Sequence, residues 1–347
     1  MPLTHLKVSR IGDPRAYLKH YRWMRLQTLI AALGVALMPL AHATQKDSPQ
    51  SGVAAGEGLM AHVGPPSQEA VDEFKSAGME NVRPHVLSAP ERAKVEAALA
   101  SLPILNRQVL EKKLHQLAFV EGIPGEGTGL TSPVANTGLY DITLRASILN
   151  EPLSTFLTTK ERRIFTDDGS GFTVTVEGTG ADALTYVLLH ESTHVVDKTC
   201  GVTTEPHSRF AAGIWASQKE MVPPLAQSIA ATTYFRGGRP LGIGQATTVY
   251  DALAQTPFVS LYATASAQED FAELVAWREI LKEHHGDLVI AVNDARGKTL
   301  RRWEPLTFPE VQKRFADVDK LLMSQEPCSA LSLVPFQFGQ PPLQVTQ

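Results

Sequence analysis

The spacing of apolar positions changes character along the chain. Residues 44–68, "TQKDSPQSGVAAGEGLMAHVGPPSQ", have no period and are rich in Gly and Pro. They read as a linker, and 44–89 as a whole as a flexible or pro-like segment. From Pro90 the spacing becomes helical, in "PERAKVEAALASL" and "NRQVLEKKLHQL". "YDITLRASIL" (140–149) alternates for part of its length, and "GFTVTVEG" (171–178) is a β-branched run between glycines; both predict strands. A strongly apolar helix is predicted from about Asp182 to Lys198, with Gly201 as its stop. Residues 207–250 are helical in parts, broken at Pro223-Pro224 and at "RGGRPLGIG". A further helix begins near Ser266 and runs through "AQEDFAELVAWREILKEHH". "DLVIAVNDARGKTLRRWEPL" predicts a hairpin turning at "NDARG", and "FPEVQKRFADVDKLL" a last amphipathic helix with Pro309 in its first turn. Strands, then an apolar helix, then a mostly helical second half indicate an α+β fold of two lobes with a cleft between them. The folded domain is expected over 90–330, followed by a tail at 331–347.

The apolar helix carries the chemistry. It reads "TYVLLHESTHVVDKTC" (185–200), with His190 and His194 four residues apart around Glu191. Residues i and i+4 share a helix face, so both imidazoles can grip one ion. Glu191 lies to the side, where a carboxylate can take a proton from a water that zinc has acidified to a pKa of roughly 7. An apolar helix does not bury such a set without a partner. A catalytic zinc also needs a third protein ligand and an open position. A histidine six residues past His194 would be one source, but Cys200 stands there. The other source is a later helix, and "ASAQEDFAELVAW" offers Glu269, with Glu273 one turn on. Ser266-x-x-Glu269 is also a capping box, so Glu269 either ligates or caps. Glu273 could hydrogen-bond a ligand histidine. Asp197 is either a support for the histidines or a charge near the helix end.

"HESTH" followed by "FVSLYATASAQEDFAE" resembles the gluzincin metallopeptidases, in particular the group of anthrax lethal factor and the secreted Pro-Pro endopeptidases. The resemblance covers two short segments. It implies one zinc per chain on His190, His194 and Glu269, Glu191 as general base, and Tyr262 as a donor to the oxyanion. Tyr262 stands seven residues before Glu269, as the group's tyrosine does; its other reading is a core tyrosine. By analogy with zincin architecture, "TGLYDITLRASIL" or "GFTVTVEG" would form the cleft edge to which an extended peptide adds.

Composition sets the setting. The chain has 347 residues, 43% hydrophobic and 20% charged, enough for a sizeable core. A formal charge of −4 supplies no bulk basic field for nucleic acid. Near the start, "HYRWMRLQTLIAALGVALMPLAHATQKDS" reads as a secretory signal over 1–43, cleaved after Ala43, with Met24 the better start. The apolar stretch is too short for a comfortable span, so no stable membrane segment is expected after cleavage. The expected setting is the periplasm or the exterior of a bacterium. There Cys200 and Cys328 could pair. The sequence thus predicts an exported zinc metallopeptidase acting on a peptide or protein. The alternatives are a zinc amidase or endopeptidase of cell-wall peptides, and a zinc-binding module without turnover.

Overall fold

Sheet pairing begins earlier in the chain than composition suggests. The computed structural model describes residues 57–125, 127–204 and 210–322. It opens with α1 (Glu57–Met60), β1 (Val63–Gly64), α2 (Gln68–Ser76), β2 (Glu80–Pro84), α3 (Ala89–Ala100) and α4 (Ile104–Lys113). β3 (Leu114–Ile123), β4 (Gly129–Val134), β5 (Leu139–Arg145), α5 (Leu153–Glu161), β6 (Phe165–Thr166) and β7 (Thr173–Gly178) follow. The rest comprises α6 (Ala183–Cys200), β8 (Leu241–Gly242), α7 (Ala246–Leu253), α8 (Ala267–Glu283), β9 (Leu288–Asn293), β10 (Thr299–Trp303) and α9 (Pro309–Leu322).

The larger sheet runs β1-β3-β5-β4, with β2 pairing the far end of β3. β3 is parallel to β1 and β5, while β4 lies antiparallel to β5 and forms the edge. A second sheet is antiparallel, β10-β9-β7, and holds the expected hairpin with its turn at Asp294–Gly297. The mixture of helices with parallel and antiparallel strands fits the expected α+β class.

Several expectations need correction. The segment expected to be a linker or pro-like over 44–89 is folded in part, because residues 57–84 form helices and strands. Val63 and Gly64 pair with Leu117 and Ala118. Ala70 and Phe74 of α2 pack with Met79, Val120 and Leu130 in a small satellite core. Short polar elements give no periodic signal, and sheet pairing holds them in place. "LHQL", expected to extend a helix, instead opens β3, where tertiary pairing overrides its spacing. Residues 210–245 form turns and four short 3-10 segments, and a regular helix appears only at Ala246–Leu253.

α6 is the axis of the molecule. Asp182 caps its start by accepting from Thr185 N at 2.8 Å. Gly201 ends it at φ 68°, a left-handed turn that glycine adopts without strain. Thirteen of its eighteen residues are buried, so helices and strands cover it on nearly every side. α8 packs beside it, with Tyr186 and Trp277 rings 5.4 Å apart. Among the described residues no helix is long and apolar enough to cross a membrane. The expected signal region, 1–43, and the tail, 331–347, lie outside the described residues.

Candidate metal centre

α6 presents His190, Glu191 and His194, and the first turn of α8 brings Glu269 against them. His190 Nε2 and His194 Nε2 are 3.2 Å apart. Glu269 Oε2 stands 3.0 Å from the first and 3.5 Å from the second. Ligands about 2.0–2.1 Å from a tetrahedral zinc are separated by roughly 3.3–3.4 Å. The three atoms therefore fit three corners of one zinc coordination shell, and they form a group able to hold a metal ion. The choice between ligand and cap dissolves: Ser266 Oγ accepts from the backbone N–H of Glu269 at 3.2 Å, leaving the carboxylate for the histidines.

Electrostatics point the same way. Burial opposes charge on His190, yet Glu269 and Glu273 lift it to about 10. Burial pushes the Glu269 carboxyl up, and His194 and His190 overrule it, holding it well below the usual range. A site with this field favours a cation.

Glu273 takes its place one turn behind. Its Oε1 lies 3.2 Å from His190 Nδ1 in a bent approach that falls short of good hydrogen-bond geometry. The contact favours the tautomer with the proton on Nδ1 and the Nε2 lone pair facing the site. Tyr186 Oη donates to Glu273 Oε1, Ser260 Oγ donates to Oε2 at 2.6 Å, and Lys160 Nζ sits 3.6 Å from Oε1. Burial raises this carboxyl, but Lys160, His190 and Ser260 hold it at about 2.

Glu191 is held from the other side by β4. Thr131 Oγ1 donates to Glu191 Oε2 at 2.7 Å. Two residues before it, on the same strand face, a Cβ on Gly129 would stand 2.8 Å from Glu191 Cδ. Only glycine leaves the carboxylate its place. Leu130, between them, turns to the opposite face and packs in the satellite core. The sheet edge beside Glu191 is therefore β4. β5, which contains most of "TGLYDITLRASIL", lies inside the sheet, and β7 belongs to the other sheet. β4 escapes a pattern search because Pro133 and its polar residues suit only an edge.

Tyr262 packs against His190, with ring centroids 5.8 Å apart, and Lys160 Nζ lies 3.4 Å from its ring centroid. Burial and the nearby Glu269 and Glu191 push its hydroxyl well above the usual tyrosine value, so it stays a phenol and a donor. Asp197 has another role. Both its oxygens are taken by Thr203, from N at 2.8 Å and from Oγ1 at 2.7 Å, which ties down the chain after the helix. Its charge still acts on His194 through space. Cys200 ends the helix and is disulfide-bonded. Cys328, its expected partner, lies outside the described residues.

Spacing also gave no hint of Asn106. Its Nδ2 donates to Ser192 Oγ at 2.9 Å and Thr193 Oγ1 at 3.1 Å, bracing the two residues between Glu191 and His194. Lys160 and Thr131 come from segments without a motif. Trp215 is core, whereas Phe235 lines a cavity beside His190.

A cavity of about 30 Å³ opens beside His190, His194, Glu191, Glu269 and Tyr262. It has room for a water among polar partners, as a shell with an open position requires. Comparison with protein-family models, curated proteins and solved structures finds no match to this chain. The site is therefore read from its own residues.

Proposed function

We propose that the chain is a zinc-dependent peptide hydrolase of gluzincin type with a zincin-like cleft, exported as its N-terminal sequence suggests. The observation that carries this reading is the placement of Glu191. Three donors at zinc-ligand separations would serve a structural metal equally well. A structural site closes with a fourth protein ligand, however, and has no use for a carboxylate held beside an open cavity.

His190, His194 and Glu269 would hold the ion, with Glu273 orienting His190. Zinc bound there would supply Lewis acidity toward a substrate carbonyl and acidify a water. Thr131 occupies Oε2 of Glu191, which leaves Oε1 to accept that water's proton. Glu191 then hands the proton to the departing amine. Tyr262, held neutral, donates toward the oxygen where charge develops. The exposed edge of β4 offers backbone groups to an extended peptide.

The test is zinc per chain and peptide hydrolysis in the protein from Thr44 onward, for wild type, Glu269→Ala and Glu191→Gln. Wild type should carry about one zinc, Glu269→Ala far less, and Glu191→Gln full zinc without hydrolysis. Undiminished zinc in Glu269→Ala would place the third ligand elsewhere. Full hydrolysis by Glu191→Gln would remove the proposed base.

A further inference from the structure

A second and larger cavity, of about 90 Å³, opens on the other side of the centre, with His190, Glu191 and Tyr262 at its floor. Its walls carry Arg145, Lys160 and Arg163. Among the described lining residues one carboxylate, Glu191, faces these three cations. Two of the cations are paired from outside the lining, Arg145 with Glu151 and Lys160 with Glu273.

The cations are fixed in place. Arg145 donates to Glu151 Oε2 at 2.5 Å and to Ser147 Oγ, and its guanidinium rests 5.7 Å from the Phe156 ring centroid. Lys160 is held between Glu273 and the ring of Tyr262. Arg163 donates to Gly125 O at 3.4 Å. The Arg145 guanidinium carries five N–H donors, more than its bonds to Glu151 and Ser147 consume. Fixed donors lose little side-chain freedom when an anion arrives, and a half-enclosed pocket screens them less than open water does.

We propose that this pocket receives a carboxylate of the substrate residue next to the bond being cut. The proposal rests on the hydrolase reading above and narrows it to bonds flanked by Asp, Glu or a free chain terminus. Glu191 and a bound metal would hold the scissile carbonyl at the floor, while Arg145, Lys160 and Arg163 engage the acid one side chain away. The aromatic walls, Phe156 and Phe235, would cover its methylenes. Both sources of carboxylate present the same planar acceptor, which suits guanidinium recognition.

The experiment uses the zinc-loaded wild-type chain and a synthetic library of sequence-diverse decapeptides, half with free and half with amidated C-termini. Cut sites are read by mass spectrometry. Asp or Glu should be enriched about tenfold over Asn or Gln on one side of the cut, the scale of one charge-assisted hydrogen bond. The enrichment should shrink as salt rises. If the terminal carboxylate is the true ligand, cuts cluster next to free C-termini and disappear from the amidated half. Arg163→Gln should lose most of the enrichment, and Arg163→Glu should turn the preference toward Lys and Arg at the same position. Arg145→Gln gives an independent second reading should either Arg163 variant fold poorly. A wild-type cleavage profile indifferent to acids on both sides and to the terminus overturns the pocket assignment and leaves the hydrolase standing. A zinc-loaded chain that cuts no peptide overturns the hydrolase reading, and this one with it.

Discussion

Glu269 and Asp270 are neighbours at the start of the same helix, and both are largely buried, yet the protein treats them oppositely. Asp270 receives a complete partner set. Arg314 donates to both of its oxygens at 2.8 Å, and Trp215 Nε1 adds a third bond at 2.9 Å. Burial still outweighs these partners and leaves the carboxyl above its usual value. Glu269 faces two imidazole nitrogens that are themselves 3.2 Å apart. Once the imidazoles are deprotonated, one carboxylate and two nitrogen lone pairs face one point as acceptors, and a single cation satisfies them together. A carboxylate that supports the fold brings its own counter-ion, whereas one that serves a site brings fellow ligands.

The comparison breaks most visibly if Asp270 is cut. Asp270→Ala strands Arg314 in the interior and should cost about 3–5 kcal/mol of stability, as removal of one partner of a buried pair does. Zinc content of the folded fraction should not change. Glu269→Ala should differ in the metal's contribution, which it loses. With free zinc about a thousandfold above its Kd, wild type and Asp270→Ala should each gain about 4 kcal/mol, and Glu269→Ala almost nothing. Urea unfolding with and without a chelator measures both effects. Equal zinc stabilisation in the two variants would erase the distinction.

Glu161 extends the series to a carboxylate with a neutral hydrogen-bond partner. It is deeply buried and accepts from Tyr250 Oη at 2.8 Å. Burial lifts it to about 7, against that hydrogen bond and against Lys160. The folded protein therefore binds this proton more tightly than the unfolded chain. Stability from the group is complete below pH 4.5, falls as pH rises toward 7, and levels off above that. The loss is about 3 kcal/mol by linkage. Glu161→Gln keeps an acceptor for Tyr250 and loses the titration. Its stability should match wild type near pH 4.5 and exceed it by about that amount at pH 8. Glu279, also lifted to about 7, titrates in both proteins and cancels in the difference. Parallel stability curves would show that Glu161 is solvated after all.

Legibility in the sequence follows how each residue reaches the centre. His190, Glu191 and His194 come from one helix, so their geometry is fixed by a period that spacing reveals. Glu269 required a chemical argument, that zinc needs a third ligand, and its helix was marked by the cap at Ser266. The same helix period puts Glu273 one turn behind Glu269. Gly129, Thr131, Lys160 and Asn106 come from other elements, and only the fold brings them near. Asp197 had the correct face and the wrong partner, because Thr203, six residues on, folds back to claim both its oxygens. The hairpin at 288–303 and the helix at 309–322 were plain, since each carries its own turn or cap. β1, β2 and β4 were not, because a short or polar strand is stabilised by its neighbours and shows little pattern of its own.

Thr131 gives the finest measure of what the two walls contribute. The candidate ligands all belong to α6 and α8, so removing a hydroxyl from β4 should leave zinc content at the wild-type level. Thr131→Val keeps the shape of the side chain and its place opposite Ile142 in the sheet. It removes the one described donor to Glu191 Oε2, at 2.7 Å. Without it the carboxylate gains rotational freedom, and its two oxygens become equivalent for accepting the proton. A charge-assisted hydrogen bond of this kind corresponds to about tenfold in kcat/KM. The fall should lie mainly in kcat, since Thr131 orients the proposed base and the proposed peptide contact is with the strand backbone. A loss of zinc in Thr131→Val would mean that β4 shapes the metal shell itself. An unchanged kcat would mean that Glu191 is held well enough by its own helix.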